Sequence, residues 1–236
     1  MVSRTQRLSV SWIRSSVVIR FATVLYPVDI LGLWRRLPEV GFIVPRTPEE
    51  GETVEPKDLP SKGGEIRLAF NPDAKTLGVV GVDPRKVAQN YEELMSFWRD
   101  QFDPGPGSSA EYVEVNASGW VQGQASTGHA ATAADKIAHW WNKQASSGLA
   151  EMTSVLRKYV PQAEAPLVQH GLRLVTPGGH PNSPEWGEFA INQFNPSANR
   201  YHVQIIWRAA DEHAVISVAR TLDELIPALL ARIEST

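Results

Sequence analysis

The sequence predicts an α+β protein of two similar lobes, each an antiparallel or mixed sheet with helices packed on one face. Three observations predict this. Strictly alternating stretches mark strands, as where Val17, Ile19, Phe21 and Leu25 share one face of a segment from Ser16 to Tyr26. Amphipathic helices follow two predicted hairpins. Phe70-Asn71-Pro72-Asp73-Ala74 also recurs as Phe194-Asn195-Pro196-Ser197-Ala198, in each case at a hairpin tip.

The elements follow in order. After the strand that Pro27 ends, Asp29 opens a short helix with Ile30, Trp34 and Leu37 on one stripe, and Phe42 to Val44 forms a short strand. The segment 46–64 carries Glu49, Glu50, Glu52, Glu55 and Asp58 among three prolines, a composition that predicts an exposed acidic loop. Ile66, Leu68 and Phe70 alternate into the first Asn-Pro turn, and Leu77 to Val82 runs back. Asp83-Pro84 places an N-cap before a proline at the first helical position, where the missing N–H costs nothing. Val87, Tyr91, Leu94, Trp98 and Phe102 then recur at helical spacing as far as Asp103-Pro104-Gly105. The Pro/Gly/Ser run there divides the chain into a first lobe (1–102), a linker (103–110) and a second lobe (111–236).

The second lobe opens with a strand through Tyr112, Val113 and Val115 to about Val121, followed by a helical region from about Thr127 to Tyr159. Gly171 to Thr176 reads as a strand, and Glu188 to Phe194 with Tyr201 to Trp207 as a hairpin. Thr221-Leu222-Asp223-Glu224 reads as a capping box opening a last helix through Leu225, Ile226, Leu229 and Ile233. The spacing from Phe70 to Leu77 equals that from Phe194 to Tyr201, as an internal duplication would leave it. Against a strict repeat, the offset equivalents of Ile66, Leu68 and Phe70 are Ala190, Asn192 and Phe194, whereas Phe189 and Ile191 alternate the other way. A one-residue slip exchanges faces unless a bulge intervenes. Duplication and independent recurrence of good turn chemistry both stay open.

Composition narrows the function classes. The hydrophobic fraction of 42% and charged fraction of 21% are those of a globular chain rather than a disordered one. A formal charge of −3 gives no general support to non-specific nucleic-acid binding, which draws its affinity from a basic excess. The absence of cysteine removes disulfides, thiolate catalysis and Cys-ligated zinc, and leans towards a reducing, cytoplasmic location. No apolar run approaches the ~20 residues that cross a bilayer, so no membrane role is expected. Arg4, Arg7, Arg14 and Arg20 precede the first acidic residue, Asp29. Arg14 and Arg20 interrupt any signal-like apolar stretch, so this region reads as the first strand with a basic lead-in.

Catalytic and metal signatures are sparse, and no metal or cofactor is expected. His129 and His139 lie ten residues apart on a predicted helix and do not share a face. No Gly-x-Ser-x-Gly elbow, phosphate loop or His-Glu-x-x-His occurs. His180, in Gly178-Gly179-His180-Pro181, stands near Glu185 and Glu188, the residue types of a general base or metal ligand set. His202 alternates away from Tyr201, Val203, Ile205 and Trp207 and so faces away from their side of the sheet. Eight tryptophans supply core and interface anchors. Trp12, Arg14, Trp34, Arg35 and Trp186 are the candidate binding residues: Arg14 beside Trp12 and Arg35 beside Trp34 join a cation to an aromatic ring, and Trp186, on a strand or near a loop, is a residue type enriched at interfaces.

Three functions follow as expectations. The first is a non-enzymatic protein-interaction or assembly subunit of an intracellular complex, with a protein partner or homo-oligomer. The second is an enzyme whose inter-lobe site uses His180 with Glu185 or Glu188. The third is a nucleic-acid-binding module, which requires Arg14, Arg20, Arg35 and Arg36 to share one surface.

Overall fold

Alternation in the first strand sets the architecture. The structure, a computed structural model, describes residues 8–22, 30–49, 52, 54–102, 110–123, 135–140, 171–176, 180–193 and 199–234. Strand β1 (Val10–Phe21) buries Ser15, Val17, Ile19 and Phe21 and leaves Ser16, Val18 and Arg20 partly exposed. Helix α1 (Ile30–Arg36) and a 3-10 turn (Leu37–Val40) place Leu33, Trp34 and Leu37 in the core. Gly41 ends the turn at φ 84°, a left-handed conformation open to glycine. Strands β2 (Ser61–Lys62), β3 (Ile66–Asn71) and β4 (Thr76–Gly81) precede helix α2 (Pro84–Phe102). Strand β5 (Ala110–Gln122) and a helical stretch at 135–140 follow. Strands β6 (Gly171–Val175), β7 (Trp186–Gln193) and β8 (Arg200–Ala209) then lead into helix α3 (Glu212–Glu234).

The strands form one antiparallel sheet in the order β2-β3-β4-β1-β5-β8-β7-β6. This corrects the expectation of a separate sheet in each lobe. β1 and β5 pair along nearly their whole length, from Val10↔Val121 to Phe21↔Ala110, with a bulge at Ile13. A seam of two long strands leaves neither half with an edge there, and the core cluster runs from Val17 and Leu68 through Val115 to Ile205 and Ile233. From either end, the order is a short edge strand, a hairpin and then the first strand of that half.

The second hairpin resolves the alternation conflict. Phe70 pairs with Leu77, seven residues on, whereas Gln193 pairs with Tyr201, eight residues on. One residue's difference in the connection restores the core face, so Phe189 and Ile191 join the core as Leu68 and Phe70 do. The repeated motif's second copy, at 194–198, lies outside the described residues.

Three local expectations are corrected. α3 starts at Glu212 behind Asp211, whose Oδ1 accepts the His213 N–H at 2.9 Å, just as Asp83 Oδ1 accepts the Arg85 N–H at 2.8 Å before α2. The Thr221 hydroxyl lies inside the helix and donates to Ser217 O (3.0 Å) and Val218 O (3.1 Å), the back-bonding open to a mid-helix threonine. Burial of Val215, Ile216 and Ala219 extends the helix upstream of it. Phe42–Val44 contributes a single bridge, Ile43↔Ser61, rather than a strand. The acidic segment is not wholly exposed: Pro48 and Pro60 are buried, Val54 and Leu59 pack against the core, and Arg46 pairs with Glu52 and Asp58. Among the described residues no helix is long and apolar enough to cross a membrane.

Candidate interaction surface

Strand residues that alternate with the core residues make up the second face of the sheet. On β1, β5 and β8 it carries Ser16, Val18 and Arg20, then Tyr112, Glu114, Asn116 and Trp120, then Arg200, His202, Gln204 and Arg208. The register brings their charges together. Arg208 pairs with Glu114, its Nε at 2.9 Å, and stacks over the Tyr112 ring at 4.3 Å. Its Nη1 donates to the backbone oxygens of Pro181 (2.7 Å) and Ser183 (3.1 Å), fastening the 180–185 loop to this face. Arg20 reaches Tyr112 from the other side, donating to its hydroxyl at 3.2 Å and pairing with Glu111 at 3.1 Å. Tyr112 is clasped between two guanidiniums and is only 6% exposed. Nearer the N-terminal end of β1, Trp120 packs against His202 at 4.7 Å with Arg200 over its ring at 5.2 Å. Burial lowers the His202 pKa, which favours the neutral imidazole.

Charge on this face is one-sided. The strands place Arg14, Arg20, Arg67, Arg173, Arg200 and Arg208 here, against Glu111, Glu114 and Glu188. Arg20, Arg208 and Arg173 each hold one of those carboxylates, Arg173 bonding Glu188 at 2.6 Å. Arg14, Arg67 and Arg200 are exposed and no carboxylate among the described residues pairs with them. The face therefore carries a cationic excess in a chain whose formal charge is −3.

The sequence-predicted candidates divide between this face and elsewhere. Arg14, opposite Ser118, and Trp186, opposite Arg208, lie on it. Trp12 is on the core side, donating from Nε1 to Asp223 Oδ1 at 2.7 Å. Trp34 is fully buried, edge-on to Phe70 at 5.4 Å, so it is a core residue and offers nothing to a partner. Arg35 is exposed on α1, and Arg36 beside it pairs with Glu39 at 2.7 Å. Arg36 also bonds Gln101 near the end of α2 at 2.6 Å, and among the described residues no contact brings Arg35 or Arg36 to the strand arginines Arg14 and Arg20.

The His180 group has separate partners. Nδ1 of His180 accepts the Asn182 N–H at 3.2 Å, Glu185 Oε1 accepts the Ala210 N–H at 2.9 Å, and Glu188 is held by Arg173. No hydrogen bond links the three. His129 and Trp141 lie outside the described residues, and His139 is exposed on the stretch 135–140.

Two further features belong to other parts of the molecule. Lys136 Nζ lies 2.6 Å from Glu234 and 3.3 Å from Asn199 Oδ1, and Tyr201 donates its hydroxyl to Glu234 at 2.7 Å. Burial first, then the Glu234 carboxylate, pushes the Tyr201 hydroxyl pKa up. This group ties 135–140 to the end of α3. Leu8, Ser9, Val10, Arg85, Asp223 and Glu224 line a groove of about 500 Å³, with Arg85 paired to Asp223 (3.2 Å) and Glu224 (3.3 Å). Among the described residues no three His, Asp or Glu side chains gather as a metal site. No protein-family model, curated protein or solved structure matches the chain.

Sequence reasoning missed the roles of Arg208, Tyr112, Glu114, Arg200 and Arg67. The β8 alternation of Arg200, His202 and Gln204 against Tyr201, Val203 and Ile205 was the available signal; the partners across the strands needed the register.

Proposed function

We propose that the chain is a non-enzymatic interaction or assembly subunit of an intracellular complex, with the helices on one face of the sheet and the partner on the other. In this reading the two halves are duplicates related by an axis near the central pair Val17↔Val115. The mirrored strand order and the matching Asp83 and Asp211 caps support that relation. The observation that carries the functional reading is the segregation of strand charge onto one face, part of it already ordered by cross-strand pairs. The paired side chains of Arg20, Arg173 and Arg208 are already ordered, so they have little side-chain entropy left to lose when a partner docks. The engagement of His180, Glu185 and Glu188 in separate contacts favours this reading over an enzyme built on them.

The test is isolation from the native host under mild conditions. The expected result is a complex larger than the 26.1 kDa chain, with slower backbone hydrogen exchange in β1, β5 and β8 than in the isolated protein. A chain recovered alone, with a turnover activity abolished by His180→Ala, would sink the proposal.

A further inference from the structure

The geometry points to an acidic, extended polypeptide segment as the partner of this face, an inference that rests on the interaction reading above. Three arginines on it, Arg14, Arg67 and Arg200, are exposed and lack carboxylate partners among the described residues, while the other three are already neutralised by Glu111, Glu114 and Glu188. The chain's own pairing thus leaves the three charges at separated points. Arg67 lies two strands and two residues from Arg14, about 12 Å, and Arg14 lies two strands and four residues from Arg200, about 16 Å. An extended segment of about eight residues spans that path, and its alternate side chains return to one side every ~6.8 Å. Carboxylates at intervals along such a segment can meet all three guanidiniums, which favour paired recognition of carboxylate oxygens.

Apolar surface accompanies the charge. Ile13, in the bulge next to Arg14, is 49% exposed. Val82, whose carbonyl accepts the Ser15 hydroxyl at 3.0 Å, is 52% exposed. A partner whose sheet-facing alternate positions carry acidic residues with an aliphatic residue among them would cover both. A single-stranded nucleic acid fits less well, because it needs free aromatic faces for its bases. Tyr112 and Trp186 are each 6% exposed, and the Trp120 ring already packs against His202 and Arg200.

The experiment measures fluorescence anisotropy with the full chain and three labelled probes: a short peptide alternating Glu and Val, its Lys-Val counterpart, and a single-stranded DNA of equal charge to the first. The Glu-Val peptide is expected to bind most tightly, with affinity falling as salt rises. The triple variant Arg14→Gln, Arg67→Gln, Arg200→Gln should lose about tenfold in affinity, while Arg35→Gln keeps it. All three substituted positions are exposed and, among the described residues, only Arg200 gives up a contact, its stacking over Trp120, so the triple variant should melt only slightly below the parent. The single variant Arg14→Glu, which keeps that contact, should melt like the parent and still weaken binding of the Glu-Val peptide. Equal binding of the two peptides, tighter binding of the DNA, unchanged affinity in the triple variant, or no binding by any probe would overturn the acidic-segment inference. The interaction reading is judged separately by the complex from the host: a partner that protects β1, β5 and β8 but is not acidic would retain that reading and remove this one.

Discussion

Replacing Val17 or Val115 by alanine probes whether the two halves are energetically one body. The two residues face each other across the β1–β5 seam, and both are fully buried. Each substitution removes two carbons, about 1.6 kcal/mol of transfer free energy at ~0.8 kcal/mol per methylene. A cavity contribution brings the expected loss to roughly 2–3 kcal/mol per site. Because the positions are paired, the double variant should depart from additivity by more than ~0.5 kcal/mol. Urea unfolding followed by circular dichroism and tryptophan fluorescence should show one transition whose midpoint falls while its slope stays constant. Hydrogen exchange read by mass spectrometry should accelerate in β4 and in β7 together, although neither strand contains a substitution. Two resolved transitions, or Val17→Ala loosening only segments before residue 103, would refute the single-body argument.

Further outcomes follow from particular contacts. Gly78→Ala should destabilise by about 1–3 kcal/mol in the same urea assay, because a Cβ there would meet the Val17 carbonyl oxygen at 2.1 Å in the neighbouring strand. Glu234→Gln removes the counter-charge of the nearly buried Lys136 and the acceptor charge for Tyr201; a loss of roughly 3 kcal/mol is expected, with faster exchange at 135–140. The hydrogen bond from Lys62 holds the Glu93 pKa below its ordinary 4.5, so this contribution is complete above that value and disappears as the pH falls through the lowered folded pKa. Thermal melts of Glu93→Gln should therefore depend less on acid than those of the parent, and an unchanged acid profile would contradict the pairing.

Much of the secondary structure is legible in the sequence because it rests on local periodicity. Val17, Ile19 and Phe21 on one side of β1, and Val87, Tyr91, Leu94 and Trp98 along α2, need no distant information. The joining of the halves is different. Nothing in the linker composition reports that Val10–Phe21 will pair with Ala110–Gln122, since that register is a contact across about a hundred residues of chain. The same limit explains Thr221: its tetrapeptide has the pattern of a cap, but burial of Val215 and Ala219 against the sheet carries the helix through it. The hairpin conflict was visible as opposed alternation at Phe189 and Ile191, whereas its resolution by one connecting residue required the strand pairing. For the candidate surface, Arg14 and Trp186 could be found as residue types in strands, but Arg67 and Arg200 gain meaning once Glu111, Glu114 and Glu188 are seen to satisfy the other arginines.

Arginine modification by phenylglyoxal, read by mass spectrometry on the chain in its native complex and in isolation, tests the binding-face claim most directly. In the isolated chain the exposed Arg14, Arg67, Arg200 and Arg35 should all react. In the complex, Arg14, Arg67 and Arg200 are predicted to be protected while Arg35, on α1, stays reactive. Protection of Arg35 with continued reaction of the three sheet arginines would place the partner elsewhere and contradict the account.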